Sequence, residues 1–165
     1  MRTIDFIKMS LEMSKKWILG LVVDMQDAPL TVPTVNGGNH PLWVLGHLTY
    51  SEAELLTEFV LGQANPLAEW KDLFGEGSEP HDDASRYPSF DELMAKFEET
   101  RTATLNYLDS ITDDDLDAPS KAPEELSDFF STVGQCLSGM IVHFSYHGGQ
   151  VADARRAAGR QSLMG

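Results

Sequence analysis

Cysteine is nearly absent: Cys136 is the only one among 165 residues. A lone thiol excludes an internal disulfide framework and any cysteine-rich metal site. Positive charge is scarce as well. Twelve Lys and Arg stand against 26 Asp and Glu, so the net charge is −14 with the five His neutral. Nucleic acid is an unsuitable partner for that balance, because phosphate binding needs a basic surface that releases counterions. Anionic lipid is unsuitable for the same reason. Long apolar runs are missing. The longest, residues 17–23, is far short of the roughly 20 residues that cross a bilayer. The start, Met1-Arg2-Thr3-Ile4-Asp5, is not a signal peptide pattern, since acid and serine interrupt the first apolar stretch. No repeat and no strand-like alternation occurs. The expectation is a cytoplasmic protein that binds neither membrane nor nucleic acid.

What is present is ordinary globular composition, 42% apolar and 23% charged. A chain of this length forms one domain, residues 1–165, and can bury roughly 70% of its unfolded surface. The apolar period is helical almost throughout. A first helix is expected over residues 4–25, capped by Thr3, with Ile7, Leu11, Ser14, Ile18, Leu21 and Met25 inward. Pro29, Pro33, Gly37 and Gly38 make residues 27–39 a loop. A second helix starts at Asn39-His40-Pro41, where proline loses no useful N–H. It runs to Leu61 and stops at Gly62, with Leu45, Leu48, Leu55 and Phe59 as its stripe. Glu52 falls inside that stripe, which is unusual for a carboxylate.

Residues 62–88 form a long connection, with a short helix expected within 66–74. The third helix opens on Ser89-Phe90-Asp91-Glu92, a capping-box pattern, and continues to Ser110 with Leu93, Phe97, Thr104 and Leu108 inward. Asp113, Asp114 and Asp115 read as a solvated, helix-capping turn, since a calcium loop needs alternating oxygen ligands and a distal Glu. A fourth helix begins between Pro123 and Asp128 and ends near Gly159, a rod that could exceed roughly 45 Å. Four long amphipathic helices without strands predict an all-α four-helix bundle.

The fourth helix carries the sharpest pattern. Alternating steps of four and three pass through Phe129, Val133, Cys136, Met140, His143, His147, Gln150 and Ala154, one inward seam. Its last positions hold imidazoles and an amide. Buried without partners, such groups cost on the order of 1–3 kcal/mol each. His143 and His147, four apart, point the same way and can grip one cation. His47 flanks the Leu45/Leu48 stripe of the second helix, beside Gly46, which allows close approach of another helix. Three neutral imidazoles leave a coordination position open, as catalytic zinc sites do. Nickel, iron or manganese also fit nitrogen ligands plus water. Gln150, one turn past His147, either holds a ligand or a water near the site or makes a plain core hydrogen bond. Glu52 sits about 140° around the helix from His47, so it is either an acid bonded to another helix or a proton acceptor near the site. Glu54 and Ser51 lie closer to the His47 direction, and packing or solvation accounts for either. Gly148 and Gly149 allow tight helix packing or room for substrate.

The remaining candidates have plainer readings. His40 is a cap or a surface residue at the mouth of the second helix, and His81 an exposed loop residue. Cys136, two turns before His143, is too distant to be a fourth ligand and reads as a buried thiol. Trp43 packs beneath the site. Arg155, Arg156 and Arg160 are no obvious basic cluster for an anionic substrate and read equally as charges at a helix C-terminus.

Trp43-x-x-Gly46-His47-Leu48, taken with His143-x-x-Tyr146-His147-Gly148-Gly149-Gln150, resembles the DinB/YfiT-like superfamily. The resemblance spans most of the chain and includes the acidic turn at residues 113–116. It implies an up-down-down-up four-helix bundle with a divalent metal on His47, His143 and His147. It also implies a homodimer and a small-molecule substrate. Members of known activity include thiol-dependent S-transferases and a mycothiol-dependent maleylpyruvate isomerase, which implies a low-molecular-weight thiol as cosubstrate. A hydrolase using metal-bound water, and a non-catalytic metal-binding stress-response protein, are the alternatives.

Overall fold

The computed structural model describes residues 1–28, 30–32 and 38–163. It is all-α, and the described residues contain no strand beyond an isolated bridge between Pro119 and Thr132. Its helices are α1 (Thr3–Val23), α2 (Pro41–Glu54), α3 (Lys71–Phe74), α4 (Phe90–Ser110), α5 (Ser127–Phe130) and α6 (Val133–Ala157). A π-helical stretch, Leu55–Leu61, carries α2 onward to Gly62. There the backbone turns left-handed, at φ 68°, a conformation that glycine adopts without steric cost. The helix predicted within residues 66–74 is present as α3 and the 3-10 turn before it. Pro29, Pro33 and Gly37 of the predicted loop lie outside the described residues.

Two boundaries differ from expectation. Thr3 is the first helical residue of α1, not its cap, and the position before it is Arg2. The free donors of this helix are satisfied from afar. Asp113 accepts the N–H groups of Thr3 (2.8 Å) and Ile4 (3.0 Å), a carboxylate placed where the helix dipole favours one. The predicted fourth helix is broken at Ser131 and Thr132. Thr132 caps α6 by accepting the Gln135 N–H (3.2 Å), and Gln135 Oε1 accepts the Thr132 N–H (3.1 Å). This reciprocal box starts a new helix in a new phase. Phe129 is therefore 71% exposed and does not begin the seam, which opens at Val133. The 25 residues of α6 span about 37 Å.

α1 packs mainly along α6, and α2 along α4 and α6. Buried side chains form two clusters. Ile4, Ile7 and Leu11 of α1 meet Leu55 and Phe59, Leu108 of α4, and Val133, Cys136 and Met140 of α6. Ile18 and Val22 meet Leu45 and Leu48 of α2, Phe97 of α4, and Phe144 and Val151 of α6. On α2 and α4 the residues separating the clusters are polar. Glu52 and Arg101 are each 1% exposed at the side chain and pair at 2.9 Å. Thr104 Oγ1 donates to the other Glu52 oxygen (2.7 Å), and Arg101 Nη1 donates to the Leu11 carbonyl (2.5 Å). The guanidinium also lies 4.8 Å above the Phe144 ring. One buried ion pair thus ties all four long helices together.

Candidate metal centre

The site begins with the cap of α2. His40 is fully buried, and its Nδ1 accepts the Trp43 N–H (3.1 Å) while Nε2–H donates to the His81 carbonyl (3.0 Å). This fixes where α2 starts and hence where Trp43 and His47, one turn apart, point. The next turn is shaped by Gly46. A Cβ there would stand 2.1 Å from Cε1 of Phe74. The space that Gly46 leaves is occupied by that ring, not by the backbone of a neighbouring long helix. With the ring seated, the Phe74 carbonyl accepts the Nδ1–H of His47 at 2.7 Å. Trp43 stacks on the other side of the imidazole, rings 4.4 Å apart and 11° from parallel.

From α6, His143 and His147 reach the same point. The Nε2 atoms of His47 and His143 are 3.0 Å apart, and those of His143 and His147 are 2.9 Å apart. Ligand nitrogens of all three lie within 4.8 Å of one another. Gln150 Oε1 accepts the Nδ1–H of His147 (2.7 Å) and is itself held by Asn39 Nδ2 (3.1 Å). Nδ1–H donation leaves Nε2 of His47 and His147 as bare acceptors. His143 can supply one proton to the group, which cannot serve both neighbours. Burial, first of all, holds the three rings neutral. His143 is pushed down to about 3, with His147 and His47 adding repulsion. His147 is pushed down to about 4, and His47 shifts the same way. Neutral imidazole lone pairs aimed at one another repel unless a cation lies among them. Two nitrogens each about 2.0–2.1 Å from one ion would stand roughly 3 Å apart. The residues present therefore fit a divalent metal.

The structure brings His47, His143, His147 and Gln150 together and takes Glu52 elsewhere. Both Glu52 oxygens are engaged by Arg101 and Thr104, which is the bond to another helix that its spacing allowed rather than contact with the site. Cys136 is fully buried, and burial pushes its thiol up to about 11. Glu54 accepts from the Tyr50 hydroxyl (3.2 Å). His40 is a cap and not a surface residue. His81 is half-buried, with Arg86 at its Nδ1 (3.1 Å) and its carbonyl on His40. A Cβ on Gly148 would meet Ile18 at 3.8 Å and one on Gly149 nothing within 4 Å, so neither glycine is required by a close contact. Arg155 is buried on Asp24 (2.8 Å) rather than being a free terminal charge.

Phe74 and Asn39 escaped the sequence reading. Phe74 acts through its carbonyl, which no side-chain pattern reveals. In the sequence Asn39 shows only as part of a helix start. Ser78, which accepts the Trp43 indole N–H (3.3 Å), fastens the long connection over the same turn. Among the described residues no helix is long and apolar enough to cross a membrane. The family model of the DinB superfamily matches residues 11–151, which include all three histidines and Gln150. No curated protein matches the chain.

Proposed function

This chain belongs to the DinB superfamily, and on that premise we propose that it is a cytoplasmic, divalent-metal-dependent enzyme acting on a small electrophile, with His47, His143 and His147 as metal ligands. The observation that carries the reading is the convergence of three neutral Nε2 atoms from two helices, with the Nδ1–H of two of them already engaged. The reaction class we favour is thiol-dependent S-transfer or isomerisation. When bound, zinc, nickel, iron or manganese would act as a Lewis acid and lower the pKa of a coordinated thiol or water. The chain's own residues do the positioning. The Phe74 carbonyl and Gln150 hold two imidazoles in the binding tautomer. Trp43 fixes the plane of the His47 ring and shields its face from water. The chemistry sits in one domain whose ends support an up-down-down-up bundle. The start of α1, the end of the α2 run, the end of α4 and the start of α6 share one cluster, and the opposite ends share the other.

Elemental analysis of the purified protein tests this reading. We expect one divalent ion per chain, lost in His47→Ala and in His147→Ala while the helical signal is kept. Protein that carries no metal and takes none up would refute it. Turnover that needs no added thiol would move the reaction to hydrolysis. Loss of the fold on chelation would indicate a structural ion.

A further inference from the structure

His47 and His147 are held by acceptors of different kinds. The Phe74 carbonyl can only accept, so Nδ1 of His47 carries its proton and Nε2 is left bare. His147 meets the side-chain amide of Gln150 at 2.7 Å, and an amide can present either end. With Oε1 toward the ring, Nδ1 is protonated and Nε2 is free for a cation. With the N–H₂ end toward the ring, the proton sits on Nε2 and occupies the lone pair that an ion needs. Gln150 alone does not choose. Asn39 Nδ2 donates to the same oxygen (3.1 Å). Both lone pairs of Oε1 are then filled, and reversing Gln150 would set its N–H groups against those of Asn39. Gln150 can turn only if Asn39 turns with it. Asn39 stands immediately before His40, the buried cap whose two ring nitrogens are engaged by the Trp43 N–H and the His81 carbonyl. The helix start that carries Asn39 is therefore fixed.

We propose that Asn39 is a positioning residue of the metal centre: by donating to Gln150 Oε1 it holds that amide in the orientation that keeps the His147 proton on Nδ1. What this orientation serves rests on the metal reading above; how it is set rests on the hydrogen-bond chain alone. The consequence runs against simple charge. Asn39→Asp changes almost no volume and adds a carboxylate beside the candidate cation site, which by Coulomb attraction alone would tighten metal binding. A carboxylate only accepts, however. It would draw the Gln150 N–H₂ toward itself and, because one Gln150 atom serves both neighbours, toward Nδ1 of His147 as well. The proton would leave Nδ1 and settle on Nε2, the ring staying neutral, and metal binding would weaken. Gln150→Glu has no reversible end. It accepts from both His147 and Asn39 and should retain the ion. Acid just before α2 suits the helix dipole, so Asn39→Asp should keep the fold.

Two measurements on the full chain test it. Chelator competition for zinc reads affinity. We expect a loss of about 10–100-fold in Asn39→Asp and of about twofold in Asn39→Ala, where the two amide orientations become equally available. Gln150→Glu should show no loss. Nitrogen NMR of the chelator-treated protein, with isotope-labelled histidine, locates the His147 proton without any ion: on Nδ1 in the wild type, shifted to Nε2 in Asn39→Asp. Circular dichroism should show the same helicity in every variant. An Asn39→Asp protein that binds zinc as tightly as the wild type, or more tightly, overturns the proposal. So does a His147 proton that stays on Nδ1 in that variant, or an Asn39→Ala loss as large as that of Asn39→Asp. A proton that moves in a chain binding no ion at all would uphold the role of Asn39 and refute the metal reading instead.

Discussion

The Glu52–Arg101 pair is where stability should depend most sharply on a single side chain. Arg101→Met would remove the ion pair, the donor to Leu11 and the cation above Phe144. The Glu52 carboxylate would then keep only the Thr104 hydroxyl. Breaking a buried pair from one side costs about 3–5 kcal/mol. That is a large share of the ~5–15 kcal/mol that holds a domain folded. It corresponds to a fall in Tm of roughly 6–20 °C at this size. Glu52→Leu should cost a similar amount by stranding the guanidinium. The two together should not add. Replacing both charges with apolar groups removes the desolvation penalty too, so Glu52→Leu/Arg101→Met should lie near the wild type or as much as ~4 kcal/mol above it. Urea unfolding followed by circular dichroism, in chelator so that metal linkage does not mask the effect, reads all four corners of the cycle. Additive losses, or a single substitution costing under ~1 kcal/mol, would show that the pair is not a coupled unit.

Three further outcomes follow from the site. Gly46→Ala should drive Phe74 off α2, because its methyl would stand 2.1 Å from the ring; with the carbonyl withdrawn from His47, metal affinity in a chelator competition should fall by about 10–100-fold. Gly148→Ala, whose methyl meets Ile18 at an ordinary 3.8 Å, should keep that affinity and gain up to ~1 kcal/mol of helix stability. The metal-free protein should lose stability as acid is added. His40, His47, His143 and His147 all have folded pKa values below the ordinary one, burial being the first cause in each. The unfolded chain therefore takes up protons near pH 6.5 that the fold refuses. Stability is full above that pH and declines through pH 5, the His147 contribution ending near 4 and that of His143 near 3. A urea midpoint unchanged between pH 7 and 4.5 would contradict this.

Periodicity made the helices legible because each long helix buries one stripe, and stripes are what a sequence displays. It also exposed the histidines, since imidazoles on an apolar seam at His143 and His147 need a partner. One local contest was invisible. The box between Thr132 and Gln135 competes with helix continuation, and it prevails at Ser131, which puts Phe129 outside. The period alone reads through that break. The partner of Gly46 is hidden for a different reason. Its missing side chain announces a close approach, but the approaching group comes from the long connection, whose path no period encodes. Glu52 was legible as an anomaly and not as a pairing, because its partner sits 49 residues away on another helix.

These particulars divide α2 into two jobs. Trp43, Gly46 and His47 face the metal centre, and Glu52, five residues past His47, reaches Arg101. Both connect to α6, through His143 and through Phe144 beneath the guanidinium. Adjacent residues of α6 thus serve the site and the ion pair, about 100° apart around the helix. A substitution at Phe144 should therefore disturb both, unlike one at Thr104, which touches only the pair. Phe144→Leu should lower the unfolding midpoint and also shift metal affinity in chelator competition, whereas Thr104→Val should lower the midpoint alone. If Phe144→Leu left metal affinity as it was, the two devices would be energetically separate despite sharing neighbouring side chains.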